Sequence, residues 1–395
     1  MNNHLARFSR RHLQTEHEAP AALRLPLILF LAFYVGGMFH IFKSGLPQPA
    51  DFIVFALVPL VARKVSNLVP VTFINCAVGL LGWVLLVNVV TYAGYEDRKL
   101  LFATVFYLFN FIVFLITLAM ALDKPREFFS WLRIAVFASV SLQLLFTLFV
   151  SSGLRKAGTF DNPNQLGYWA VLNIACLGYS LGGKRLAAPD VAALTALVFL
   201  AASSLSRAAI VAAVAGCAAI LVIQGCSRRL LNAGVVAVLC SLPILLSSGI
   251  IGTYLQRLEV VSSWEQRLDG LQGRNIDEYS TRGYERIENN LEYIFFGAGE
   301  GAYERFVDTG PALELHSTFA SILMSYGLVG VVLFLLLIMQ VFKGTLWRHT
   351  LYFLPAVLYG LTHNGIRFSW LWVVLGCIAA QGVILGGLRK QRSGL

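Results

Sequence analysis

A few basic and histidine side chains stand beside apolar runs, and their types suit phosphate binding and proton handling at a sugar hydroxyl. Arg155 and Lys156 precede the turn-forming stretch Gly158-Thr159-Phe160-Asp161-Asn162-Pro163-Asn164-Gln165. Arg207 follows Ser203-Ser204-Leu205-Ser206 and directly heads an apolar segment. Arg267, Arg282 and Arg286 lie in the one long polar stretch of the chain, and His316 stands at its end, beside Ser317. His363, Asn364 and Arg367 follow the next apolar run but one. Guanidinium groups stay charged and grip phosphate with paired N–H groups, so several of them converging would hold a diphosphate. An imidazole near its ordinary pKa can take a proton from a hydroxyl. Each residue also has a plainer reading. The arginines can snorkel at an interface or pair with acids. The histidines can cap helix ends, and Asp161-Asn162-Pro163-Asn164 can be an ordinary tight turn. Asp161 alone is a weak candidate for a base.

Other chemistries leave no trace. There is no phosphate-cradling Walker loop, no DxD pair, no HExxH and no glycine-rich dinucleotide turn, so neither a cofactor nor a metal is expected. The cysteines at 76, 176, 217, 226, 240 and 377 lie in or next to apolar runs with no CxxC spacing, and read as small embedded residues.

These candidates must be positioned by apolar helices. The chain is 57% hydrophobic and 13% charged over 395 residues, against about a quarter charged in soluble domains. Twelve apolar runs read as transmembrane helices, at about 25–43, 51–63, 71–93, 100–122, 129–150, 166–183, 189–205, 208–225, 230–250, 317–342, 350–366 and 369–388. The second is short enough to be re-entrant. The expected class is therefore an all-α polytopic membrane protein. Its segments are a cytoplasmic tail (1–24), nine helices (25–250), an outer loop region (251–316), three helices (317–388) and a second tail (389–395).

Orientation follows from the basic residues. With both termini in the cytoplasm, 18 Lys/Arg lie inside, against 7 in the short outer connections, as the positive-inside rule requires. All the candidate residues then fall on the non-cytoplasmic face. The net charge of +10 is explained the same way. No basic run interleaved with aromatics suggests nucleic-acid binding.

The long loop holds 12 of the 21 acids and 6 arginines. Helical signals at 258–271 and 281–290 predict two or three short helices on the outer surface. Gly297-Ala298-Gly299-Glu300-Gly301 predicts a turn. Gly327 lies eleven residues after His316, about three helical turns, which in an unbroken helix puts both on one face.

At these residues the chain resembles the bacterial O-antigen ligase and polymerase superfamily of membrane glycosyltransferases. The resemblance rests on the aromatic-x-Asn-Pro-Asn loop at Phe160–Asn164, on Ser206-Arg207, and on the loop carrying Ser280-Thr281-Arg282 and Phe296-Gly297-Ala298-Gly299. His316-Ser317, nine residues, Gly327, two residues and Gly330 fit the ligase-associated pattern H-[NSQ]-x9-G-x-x-[GTY], and Arg267 to Leu271 fits R-x3-L. The resemblance implies a GT-C-like helical fold in the bacterial inner membrane with a periplasmic active site. It implies an inverting, metal-independent transfer from an undecaprenyl-diphosphate-linked glycan donor. The acceptor would be the lipid A core in a ligase, or another lipid-linked glycan in a polymerase. Arg207 and Arg282 would hold the diphosphate, with Arg267 and Arg286 as rival loop arginines. His316 would orient or deprotonate the acceptor hydroxyl. Apart from the resemblance, Asn162, Asn164, Arg155, His363 and Arg367 are read from their types and places as substrate contacts, with membrane lipids as neighbours and a monomer as the default expectation. A rival reading from another class is a transporter whose outer arginines bind an anionic lipid or solute.

Overall fold

Backbone polar groups have no water to bond in a bilayer, so an apolar run must satisfy them within itself, as a helix. The computed structural model of the protein describes residues 25–42, 46–151, 155–225, 282–306 and 314–392, and no strand occurs among them. The helices in chain order are α1 (Leu25–Gly36), α2 (Asp51–Leu68), α3 (Val71–Tyr95), α4 (Lys99–Asp123), α5 (Pro125–Phe149), α6 (Pro163–Leu181), α7 (Ala188–Ser203), α8 (Arg207–Gln224), α9 (Glu285–Glu288), α10 (Thr318–Phe342), α11 (Trp347–Thr350), α12 (Leu354–Gly360) and α13 (Ser369–Arg392). Single 3-10 turns occur at Leu291–Tyr293 and Tyr303–Phe306.

Six of these, α3, α4, α5, α8, α10 and the 369–388 part of α13, are long and apolar enough to cross a membrane. Their outward faces carry exposed Phe52, Phe102, Val90 and Met339 on α2, α4, α3 and α10, a surface suited to lipid rather than water. The protein is a membrane-embedded helical bundle. Its core is built on α6, where nearly every residue from Leu166 to Tyr179 is buried, and on α13 against α4. At the end of the bundle away from the candidate residues, Lys64 pairs with Asp123 at 2.7 Å and ties α2 to α4. There too, a forked Arg133–Asp190 pair with bonds of 2.7–2.8 Å ties α5 to α7.

Three expectations change. The second apolar run, expected over 51–63, is an 18-residue helix that continues to Leu68. The eleventh, expected over 350–366, is two short helices, α11 and α12, and then a loop, because Pro355 and Gly360 sit within it. The 316–327 spacing does not lie on one helical face. Gly327 has φ +66 and ψ −172, which breaks α10 after its first turns. The ninth run, the helix expected at 258–271 and Arg267 lie outside the described residues.

Candidate functional site

The motif residues do their first work as helix caps. Asn162 accepts a bond from the Gln165 backbone N–H at 3.0 Å and Pro163 fills the first turn of α6, which explains the Asn-Pro pair. Ser206 caps α8 by accepting from Ala209 N, and Ser317 caps α10 by accepting from Ala320 N, both at 3.4 Å. Arg207 is therefore the first residue of α8, and His316 stands just before the cap of α10. All three capped N-termini lie at the same end of the bundle, where the helix dipoles favour negative charge.

The connections at this end are bonded to one another. Arg155 donates to the Asn164 side chain at 2.8 Å and to the Ser204 carbonyl at 3.1 Å, spanning the starts of α6 and α8. Tyr359 of α12 donates to the Asn164 carbonyl at 2.8 Å. Its ring is stacked between Tyr168 and His363, with centroid distances of 4.6 and 4.5 Å. The Thr318 hydroxyl donates to the His363 carbonyl and accepts from Gly365 N, each at 3.1 Å.

The long loop docks on the break in α10. Ala298 N and Gly299 N donate to the Met324 and Ser325 carbonyls at 2.9 and 2.8 Å, and Leu328 N donates to the Ile294 carbonyl at 2.8 Å. Trp83 donates to the Tyr326 carbonyl at 2.8 Å. The break thus hands its carbonyls to loop amides, which keeps buried polar groups satisfied. The approach requires glycine on both sides. A Cβ at Gly327 would meet Phe295 O at 2.2 Å, and one at Gly297 would meet Ser325 O at 2.3 Å.

Between these elements lies a cavity of about 640 Å³. Its polar lining includes Asn162, Asn164, Gln165, Glu314, His316, His363, Asn364 and Arg367. Its apolar lining includes Phe33, Leu46, Phe55, Val105, Phe106 and Phe109, and the Arg367 guanidinium lies 5.7 Å from the Phe106 ring centre where the two meet. Phe55 on α2 and Val105 on α4 are 55% and 59% exposed, so the apolar lining continues into the lipid-facing surface. His40, Gln48 and Asp51 close one end. Gln48 there accepts from Ile41 N and Phe42 N at 2.9 and 3.0 Å.

The electrostatics of the polar lining are set by burial and by nearby arginines. The His316 and His363 rings are near perpendicular with centroids 6.3 Å apart. Burial lowers the His316 pKa, and Arg282 lowers it further. Burial, His316, Arg282 and Arg155 together bring His363 down to about 4. Both shifts favour the neutral imidazole. Arg367 meets Glu300 at 2.5 Å. Glu300 is 1% exposed and also accepts from the Tyr326 hydroxyl at 2.8 Å, while its N–H donates to Asn88 Oδ1 at 3.0 Å.

The structure therefore brings Asn162, Asn164, His316, His363 and Arg367 into one cavity, with Arg155 bonded to Asn164 beside it. Arg282 stands behind the histidines, its carbonyl accepting from His316 N at 3.3 Å. Arg207 heads the adjacent helix and does not line the cavity. Arg286, read as a phosphate-binding candidate, is displaced from that role. It is fully buried, with its guanidinium 5.1 and 5.2 Å from the Tyr303 and Phe306 ring centres. Arg305 packs the same way, 4.6 Å from Phe306 and 5.1 Å from Tyr95. Arg286 thus braces the loop internally, and Arg305 ties it to Tyr95 of α3, while Leu291, Phe295 and Phe296 of the same segment stay exposed. Asp161 faces His40 at 3.5 Å and does not line the cavity.

The sequence reading missed Glu300 and Glu314. Both belong to a loop rich in acids, and nothing local separates them from their solvated neighbours. The position of Glu314 two residues before His316 is the one signal that was there. Among the described residues no three His, Cys, Asp or Glu side chains gather as a metal site would require. Compared with known proteins, the chain matches no family model and no curated protein sequence.

Proposed function

We propose that the protein is an O-antigen ligase-type glycosyltransferase of GT-C-like fold. It transfers a glycan from undecaprenyl diphosphate to the lipid A core on the periplasmic face of the bacterial inner membrane. The observation that carries this reading is the cavity with both a polar and an apolar lining. A polyprenyl diphosphate sugar is apolar along its tail and strongly anionic at its head. The apolar lining at Phe55 and Val105 suits the tail and opens toward lipid, while capped helix N-termini, Arg155 and Arg282 stand near the polar lining. An apolar lining with a few placed polar groups is the usual makeup of a ligand site.

In this reading Arg282 and Arg207, which stand beside the cavity and not in its lining, contribute positive potential that favours the departing diphosphate through space. The neutral imidazoles of His316 and His363 hydrogen-bond sugar hydroxyls, and the Asn162 and Asn164 start of α6 holds the glycan. As the resemblance implies, the reaction is inverting and metal-independent: the acceptor hydroxyl attacks the anomeric carbon on the side opposite the departing diphosphate.

The test is a deletion strain examined by lipopolysaccharide gel. Core-only lipopolysaccharide with accumulated long lipid-linked glycan supports the ligase. Core bearing a single repeat instead assigns a repeat-unit polymerase acting through the same cavity. Normal lipopolysaccharide with loss of uptake or export of an anionic solute assigns a transporter and ends the transferase reading.

A further inference from the structure

An inverting transfer requires a group that removes the proton from the attacking hydroxyl, and the two histidines are poor choices. They stand within reach of the Arg282 charge, and His363 also of Arg155. A positive surround of this kind opposes formation of an imidazolium.

The cavity lining includes two carboxylates, Asp51 and Glu314. Asp51 is turned back into its own loop, where its Oδ2 accepts from Gln48 N at 2.7 Å. Glu314 is exposed where it faces the cavity and lies two residues before His316. Asn364 donates to its Oε1 at 2.6 Å, which fixes the carboxylate and leaves Oε2 as the proton acceptor. The nearby Arg367 is engaged by Glu300 at 2.5 Å. Arg367 therefore acts on Glu314 only through space, and Glu314 keeps basicity that a direct pairing would lower further.

Resting on the transferase reading above, we propose that Glu314 is the general base of the reaction, with Asn364 as its positioning residue. The acceptor hydroxyl oxygen forms the new bond to the anomeric carbon while the bond from that carbon to the phosphate oxygen breaks. The electron pair leaves on the diphosphate, and the hydroxyl proton moves to Glu314. The proton returns to solvent when the glycosylated product departs.

The charged and titratable groups around Glu314 bear on its pH behaviour. Protein atoms crowded around the carboxylate, although its surface opens to the cavity, desolvate it and raise its pKa; Arg367 lowers it, Glu300 raises it and the Asn364 bond lowers it, for a net rise. Tyr303 stands close enough to be affected by the Glu314 charge. A base must be deprotonated to act, so the rate falls as pH drops through this raised pKa.

The test uses the full chain in nanodiscs, with undecaprenyl-diphosphate-linked glycan as donor and core lipopolysaccharide as acceptor. Wild type is expected to lose rate on the acid side with an inflection above the ordinary carboxylate range. Glu314→Gln is expected to lose about 100-fold or more and the acid limb with it, while binding undecaprenyl diphosphate as wild type does. Glu314→Asp keeps a reduced rate that still has the limb, and decides the matter if the Gln variant does not fold. A Glu314→Gln rate within about threefold of wild type with the limb intact overturns the proposal, as does a loss traced entirely to weaker donor binding. Absence of any transfer by wild type, to core or to lipid-linked glycan, is the separate result that removes the transferase reading and this inference together.

Discussion

Arg367 and Glu300 meet at 2.5 Å across two segments of the chain, a cavity-lining loop and the long outer loop. The Glu300 carboxylate also accepts from Tyr326 of α10, and the Glu300 backbone N–H donates to Asn88 of α3, so this one residue ties α3, α10 and the loop to the cavity. Removing one partner of a buried pair leaves the other uncompensated, which costs about 3–5 kcal/mol when both are fully enclosed. The Arg367 side chain is 32% exposed, so Glu300→Gln is expected to cost about 2 kcal/mol after allowance for solvent screening. Adding Arg367→Gln is expected to cost less than the sum of the single changes, with a coupling of about 1–2 kcal/mol. Thermal unfolding of the four proteins in detergent measures this, and strict additivity would argue against the pairing.

Gly327→Ala and Gly297→Ala test the docking of loop on helix. The alanine at 327 must adopt a φ of +66 and push against Phe295 O. Backbone strain alone costs about 1–3 kcal/mol, and the clash adds to it. Both variants are expected to unfold at lower temperature and to show new protease cleavage between 282 and 306. Unchanged cleavage would mean that the loop is held by its side chains alone.

Arg282 and Arg286 are expected to respond in opposite ways. Arg282→Gln should reduce transfer about 10-fold or more with a smaller loss of stability than the change at Arg286, because its charge favours an anionic ligand through space. Arg286→Lys should leave the chemistry intact and lower stability by about 1–2 kcal/mol, because a lysine ammonium does not lie flat against Tyr303 and Phe306. Equal effects of the two changes in both measurements would undo the distinction.

His363 is expected to stay neutral well below the ordinary histidine range. Its folded pKa of about 4 lies under the ordinary 6.5, so the folded protein binds fewer protons than the unfolded chain between those values. Stability contributed by His363 is thus present above about 6.5 and falls as pH drops toward about 4. An NMR titration of ring-labelled histidine reads this directly. A midpoint near 6.5 for both His316 and His363 would be incompatible with the packing around them.

Part of this site was legible in the sequence and part was not. Asn162-Pro163, Ser206 and Ser317 are cap residues whose roles follow from local rules, and the glycines at 297, 299 and 301 adopt the positive φ that a turn demands. The eleventh apolar run misled because hydropathy does not register where Pro355 and Gly360 interrupt a helix. The arithmetic that put Gly327 on the face of His316 assumed an unbroken helix, and the break exists only because a loop some 30 residues earlier in the chain supplies its amides. Arg286 and Glu300 look like solvated charges in an acidic loop. Their burial depends on Tyr303, Phe306, Tyr326 and Arg367, partners that only the tertiary fold assembles.

The seam between the loop and α10 has a consequence for how such a protein can diversify. Its bonds run from main chain to main chain, from residues 294–299 to 324–328, and Gly297, Gly299 and Gly327 are sterically fixed. Backbone bonds are indifferent to which side chains flank them. Substitutions at the other positions of both segments can therefore reshape the neighbouring cavity for a different ligand while the frame that carries Glu300 stays in register. Selection can act on the ligand without renegotiating the scaffold.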